Sequence, residues 1–244
     1  MKDISANIIL VIRSIIFHAG CSITLLLHCC STLLIAPLLN IEQRQYVFTR
    51  YNIFVLWWSK VICGVHYEIE GQENIPDGPC IILSNHQSSW ETFLLQTLFS
   101  PLSTVLKKEL LKIPLFGWGM RFLEPIAIDR GHPIQAFKQL IAQGHERVLD
   151  KRSVLIFPEG TRVKKGQTVK FNRGGAALAH HSKLPIVPVA HNAGLCVPSN
   201  SLILTPGKIT VKIGAPIRPD GKSKKELYDA STQWIELNRD ELMA

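Results

Sequence analysis

Between Ser14 and Ile41 the chain carries no Asp, Glu, Lys or Arg. That stretch exceeds the roughly 20 residues a helix needs to cross the hydrocarbon core of a bilayer. Whatever else the chain does, it must place this segment in lipid or in a large protein core. A cleaved leader fits less well: the run is longer than the roughly 7 to 15 residues of an apolar h-region, and no small-x-small cleavage site follows it. His18 and His28 interrupt the run and Pro37 lies near its end, so a spanning helix and a helix lying along one leaflet both remain open. The next stretch, Tyr46 to Val65, carries Phe48, Tyr51, Phe54, Trp57 and Trp58 at near-helical spacing. Such aromatic stripes favour the membrane interface, where Arg44, Arg50 and Lys60 can reach headgroups; a buried helix with an aromatic face is the alternative. Lys2 and Arg13 precede the first run and Arg44, Arg50 and Lys60 follow it, so the charges do not set an orientation. Residues 1–65 are therefore read as a membrane-anchoring helical segment and 66–244 as a separate water-facing domain.

The formal net charge is +8, which suits nucleic acid, an anionic membrane surface or an anionic substrate equally well. Four of the six cysteines, Cys21, Cys29, Cys30 and Cys63, lie in the apolar front, and no C-x-x-C pair exists. They read as reduced, small hydrophobic residues of a cytosol-facing protein, and neither they nor the histidines show the spacing of a zinc site. From His66 onward, short β-rich runs alternate with amphipathic ones, which predicts an α/β domain with a largely parallel sheet flanked by helices. Strands are expected near Tyr67–Glu70, Cys80–Ser84, Thr104–Lys107, Pro125–Asp129, Val154–Phe157, Ile186–Ala190 and Ile209–Ile213. Helices are expected over Ser89–Leu98, Pro133–Leu149, Gly174–His181 and Lys224–Leu242.

Two strand-end segments carry groups suited to chemistry. His86 follows the apolar run Cys80–Leu83 and precedes Gln87, Ser88, Ser89, Trp90 and Glu91. A histidine at such a loop can take a proton near neutral pH, and a nearby carboxylate can hold its tautomer. On one continuous helix the two would point about 140° apart, so His86 must lie outside the helix and Glu91 in its first turn. Ser88 and Glu91 also read as an ordinary capping box, which would explain Glu91 without any chemistry. Phe157-Pro158-Glu159-Gly160-Thr161-Arg162 follows the run Val154–Ile156, and Lys164, Lys165, Lys170 and Arg173 come soon after. A glycine-bearing loop with a forked guanidinium suits a phosphomonoester, although the lysines alone also read as a solvated basic loop. Arg130, after Ile128-Asp129, ends another strand and offers a second cation.

Asn85-His86-Gln87-Ser88 to Glu91, Lys107-Lys108-Glu109-Leu110 with Ile113-Pro114, Ile128-Asp129-Arg130, Phe157 to Arg162 and Val187-Pro188-Val189 stand in this order. Together they resemble the 1-acylglycerol-3-phosphate acyltransferase family, the bacterial lysophosphatidic acid acyltransferases included. Where that family usually has H-x-x-x-x-D, this chain has Glu91 at the same spacing. The resemblance implies that His86 is the general base and Glu91 its orienting acid. It implies that Arg130, Glu159, Gly160, Thr161 and Arg162 bind the glycerol phosphate with Lys107 nearby, and that the Pro188 region shapes the acyl-donor site. The implied reaction moves a fatty acyl group from acyl-CoA or acyl carrier protein to the sn-2 hydroxyl of lysophosphatidic acid, with no metal and no cofactor. Expected partners are those substrates and membrane lipids but no nucleic acid, and the expected location is the inner membrane with the catalytic domain facing the cytoplasm. The alternatives are an acyltransferase for another lysolipid or for glycerol 3-phosphate, and a non-catalytic adaptor that holds anionic lipid.

Overall fold

The computed structural model describes residues 4–164 and 166–244; Lys2 and Lys165 lie outside the described residues. Helix α1 (Ile4–Ile35) and helix α2 (Ile41–Cys63) pack against each other as a hairpin. Pro37 sits in the tight turn between them, and Asn40 starts α2 through a reciprocal capping box with Gln43. Within Asn7–Leu38 an 18-residue window has a mean hydropathy of 2.0 with only 11% of it buried, so the segment is long and apolar enough to cross a membrane. Ile8, Ile15, Ile23, Leu27 and Leu34 all project outward. The hydroxyls of Ser14, Thr24 and Thr32 turn back onto carbonyls one turn earlier, which lets polar side chains stay in an apolar helix. Gly20 permits the closest approach to α2, since a Cβ there would fall 2.5 Å from the Trp58 indole nitrogen.

Helix α2 differs from α1. Its Val55, Leu56 and Cys63 belong to the core beneath the sheet. Gln45 exchanges two hydrogen bonds with the backbone of Leu102, and Asn52 bonds Gln96 at 2.8 Å. Of the aromatic stripe, Phe54 and Trp58 stack on each other and pack against the core, while Trp57 lies tilted against both and is exposed.

The seven strands are β1 (Val65–Glu70), β2 (Ile81–Ser84), β3 (Leu102–Lys107), β4 (Ile126–Ile128), β5 (Ser153–Ile156), β6 (Ile186–His191) and β7 (Gly207–Ile213). They form one sheet in the order β1-β7-β6-β2-β5-β3-β4, parallel throughout except between β6 and β7. Its central strands are buried on both faces, the pattern that a parallel sheet clad by helices produces. Because side chains alternate, Ile82, Leu155 and Val187 face α2 and α3 (Trp90–Leu98), whereas Ile81, Leu83, Val154 and Ile186 face α5 (Pro133–Leu149), α6 (Gly174–Ser182) and α7 (Lys224–Met243). The four helices expected for this domain are present. A tight helical turn over Lys108–Lys112 and the short helix α4 (Phe116–Arg121) were not foreseen. They lie around Pro114, Gly117 and Gly119, residues of poor helix propensity that hide a short element.

Candidate active site

Strands β2, β3, β4, β5 and β6 run in the same direction, so their carboxyl ends share one edge. That edge is where open α/β sheets hold their ligands. It gathers His86 after β2, Lys107 at the end of β3, Arg130 after β4, the 157–162 segment after β5 and His191 at the end of β6. Pro188 stays inside β6, in register with Leu83, and so lies below the edge.

His86 lies outside α3 and Glu91 occupies its first turn, as the pairing requires. The His86 Nδ1 is 2.7 Å from Glu91 Oε1, and the same oxygen accepts the backbone N–H groups of Gln87 at 2.9 Å and Ser88 at 2.8 Å. The capping role and the pairing with His86 are thus carried by one atom. The box is incomplete on the other side, since Ser88 Oγ accepts from the Trp90 N–H rather than from that of Glu91. Burial alone pushes the Glu91 carboxyl up, but the contacts with His86 and the Ser88 N–H help hold it below the usual carboxylate range. An ionised Glu91 requires His86 Nδ1 to carry a proton, which leaves Nε2 with its lone pair. The imidazole also stacks on Phe157 with ring centroids 4.0 Å apart. Among the described residues no protein group bonds Nε2.

The segment after β5 is half buried machinery and half open surface. Glu159 is buried, its Oε1 3.3 Å from the His86 backbone nitrogen whose N–H donates to it, and among the described residues its Oε2 has no partner. Burial raises its pKa to about 8. Gly160 turns the chain at φ +70°, a conformation that favours glycine, and its carbonyl accepts a hydrogen bond from Arg130. Thr161 and Arg162 are exposed. Lys107 is not drawn into this group: it is exposed and its Nζ lies 3.9 Å from Glu109. Lys108 pairs instead with Asp129, and the hydrogen bond from Lys108 holds the Asp129 carboxyl down near 2.

Two cavities border the loop. One of about 320 Å³ is walled by Val105, Ile128, Phe137 and Phe157 and includes Arg130 and Arg173. The other, of about 340 Å³, is lined by Gln87, Glu159, Lys164 and Arg239. The sequence reading noted Arg173 only as one of a run of cations. Asn85 stands in the first motif without a role of its own, and His191 was not singled out, although a histidine ending the apolar run Ile186–Ala190 is the same signal that marks His86.

A strand-edge imidazole held by a buried carboxylate, with cations close by, is an arrangement able to take a proton from a group bound beside an anion. A family model described as Acyltransferase matches residues 66–192. The 1-acyl-sn-glycerol-3-phosphate acyltransferase of Pseudomonas aeruginosa is 44% identical over 228 residues, covering 92% of this chain and 89% of that protein. The Saccharomyces cerevisiae protein of the same name is 33% identical over 173 residues, 69% of this chain but only 57% of the yeast protein. Among solved structures, the 1-acyl-sn-glycerophosphate acyltransferase PlsC of Thermotoga maritima superposes with a TM-score of 0.79 at 26% identity, covering 96% of each chain. The chain belongs to the acyltransferase family.

Proposed function

We propose that this protein transfers a fatty acyl group from a thioester, acyl-CoA or acyl carrier protein, to the free sn-2 hydroxyl of 1-acylglycerol 3-phosphate, giving phosphatidic acid. The observation that carries the reading is the 2.7 Å contact between His86 Nδ1 and Glu91 Oε1 at the shared strand edge. With Nδ1 protonated and held, Nε2 accepts the proton of the acceptor hydroxyl as its oxygen attacks the thioester carbonyl. The tetrahedral intermediate then collapses, the carbon–sulfur bond breaks, and the imidazolium returns its proton to the departing thiolate. Glu91 supplies the counter-charge while the imidazolium exists. This assistance is worth about 10²- to 10⁴-fold, and positioning of the two substrates supplies much of the rest.

The phosphate of the acceptor is assigned to Arg130 and Arg162, with Thr161 and the turn at Gly160 shaping the loop and Lys107 a more distant cation. A cavity that combines apolar walls with Arg130 and Arg173 fits an amphiphile of this kind. Helix α1 is assigned to the bilayer, which brings the edge toward the headgroups where such an acceptor resides, and the catalytic domain is placed on the cytoplasmic side, where the acyl donors are. Residues 66–244 are taken as the catalytic domain, with α2 docked on it as its link to the anchor.

The test is purified protein in detergent, offered labelled acyl-CoA and acyl carrier protein with a panel of lysolipids and glycerol 3-phosphate. Phosphatidic acid from lysophosphatidic acid should dominate. Preferred acylation of a different acceptor would replace the proposed substrate, and liposome binding with no acyl transfer would make the protein an adaptor.

A further inference from the structure

His191 ends β6, is completely buried, and stands against the peptide that carries His86. Its Nε2 is 2.7 Å from the carbonyl oxygen of Asn85, and its Nδ1 accepts the Ala193 N–H at 3.2 Å. These two partners fix the ring: Nδ1 faces a donor and must carry the lone pair, so Nε2 carries the proton and donates it to Asn85. A second proton on Nδ1 would set two donors against each other, and burial likewise lowers the pKa of the ring.

Asn85 answers with its side chain. Its Oδ1 accepts the His191 N–H and its Nδ2 donates to the His191 carbonyl, both at 3.0 Å. In this way the side chain adds one more rung between β2 and β6 after the β2 backbone has left the sheet. Two residues on, Gln87 Oε1 accepts the Gly194 N–H at 3.0 Å, and a Cβ on Gly194 would meet the Gln87 Cβ at 3.1 Å. Asn85 and Gln87 therefore both grip the 191–194 segment. Chain alternation turns His86, between them, the other way, onto Phe157 and Glu91. The peptide that leads into His86 is held at both ends, its carbonyl by His191 at 2.7 Å and more loosely by the Ser84 hydroxyl at 3.1 Å, and its N–H by Glu159.

We infer that His191 is a positioning residue for this reaction: its Nε2–H fixes the Asn85 carbonyl, and so aims the His86 imidazole at Glu91 and at the acceptor hydroxyl. The inference rests on His86 acting as the base. His191 never touches substrate, so its loss should lower kcat while leaving the KM of the acceptor nearly unchanged.

Three substitutions separate this role from simple core packing. His191→Leu keeps volume and removes both polar contacts. His191→Gln returns an N–H donor where Nε2 stands, and His191→Asn returns an acceptor where Nδ1 stands. In membranes containing the full chain, His191→Leu should lose about 10²-fold in kcat, the size expected when a catalytic group shifts by about 1 Å. His191→Gln should recover most of that loss and His191→Asn little of it, with acceptor KM within about twofold throughout. Near-normal turnover of His191→Leu, or recovery by Asn at least as good as by Gln, would overturn the inference. If His191→Leu does not accumulate, the Gln and Asn variants decide between themselves. His86→Ala runs alongside: if it stays active, the general-base reading has failed, whereas an inactive His86→Ala beside a fully active His191→Leu defeats only the role given to His191.

Discussion

The loops that follow β2 and β5 sit side by side at the same edge of the sheet, yet they are built in opposite ways. In the β2 loop Asn85, Gln87, Ser88 and Glu91 are all buried, and each is tied by side-chain or backbone hydrogen bonds. In the β5 loop burial alternates with exposure: Glu159 and Val163 turn inward, the Val163 N–H bonding the His86 carbonyl at 2.7 Å, while Thr161, Arg162 and Lys164 stand in solvent. The first arrangement suits proton transfer, in which a misplacement of about 1 Å is costly. The second suits a headgroup that arrives from outside, because an exposed guanidinium can close on a phosphate as it binds. Rigidity is thus placed where a bond is made, and freedom where a charge is caught.

If that contrast is right, the largest effect lies in the β2 loop. His86→Ala should lower kcat by about 10²- to 10⁴-fold while the protein still folds and partitions into membranes. Retained turnover above about a tenth of wild type would leave the β2 loop with no catalytic claim.

Glu91→Gln should come next and reads the carboxylate charge almost alone. All three bonds to this side chain end on Oε1, and a glutamine oxygen in that place can keep them. The imidazolium would lose its counter-charge, and kcat should fall by about 10- to 100-fold. Glu91 Oε2 is buried with no partner among the described residues, so the new amide N–H₂ would be unsatisfied by them and the melting temperature should drop by the equivalent of about 1–3 kcal/mol. Glu91→Asp should keep partial activity, since the charge remains but the reach shortens by one methylene. A stable Glu91→Gln variant with normal turnover would show that Oε1 serves only the backbone.

Arg162→Ala tests the open loop. Acceptor KM should rise about tenfold with kcat little changed, and the melting temperature should not move, because Arg162 is exposed. Arg162→Lys should recover part of the loss, as an ammonium keeps the charge and loses the fork. A rise in the KM of the acyl donor instead would assign this arginine to the other substrate.

The sequence revealed the same two loops unequally. The strands before them could be read because parallel strands buried on both faces appear as unbroken apolar runs, and Ile81–Ser84, Ser153–Ile156 and Ile186–His191 all fall within a residue or two of expectation. His86 and Glu91 were legible because five residues separate them and a helix start fixes their relation. Asn85 with His191 was not, since the two are far apart in sequence and meet only through the pairing of β2 with β6. Nor could the exposed lysines be ranked: Lys107 and Lys108 are adjacent, yet one faces Glu109 and the other pairs with Asp129.

Glu159 stands at the hinge between the two kinds of loop, and its substitution should have the smallest effect on turnover. Its carboxyl titrates near 8 in the fold against 4.5 when free, so near neutrality it is largely protonated, and Glu159→Gln is close to isosteric and isoelectric. The glutamine oxygen can still accept the His86 N–H, and kcat should change by less than about threefold. Stability carries the larger signature. Below pH 4.5 the carboxyl is protonated in both folded and unfolded chains. Between 4.5 and 8 the unfolded chain gives up its proton while the folded chain keeps it, so wild-type stability falls as pH rises, and the cost is complete above 8. Glutamine has no proton to release, so that contribution vanishes. Melting temperatures measured from pH 5 to 8.5 should therefore show Glu159→Gln gaining steadily on wild type, by up to a few kcal/mol at the alkaline end. Parallel curves would mean that Glu159 is ionised in the folded protein, with Arg239 as its counter-charge, and that the buried start of the β5 loop carries charge like its exposed remainder.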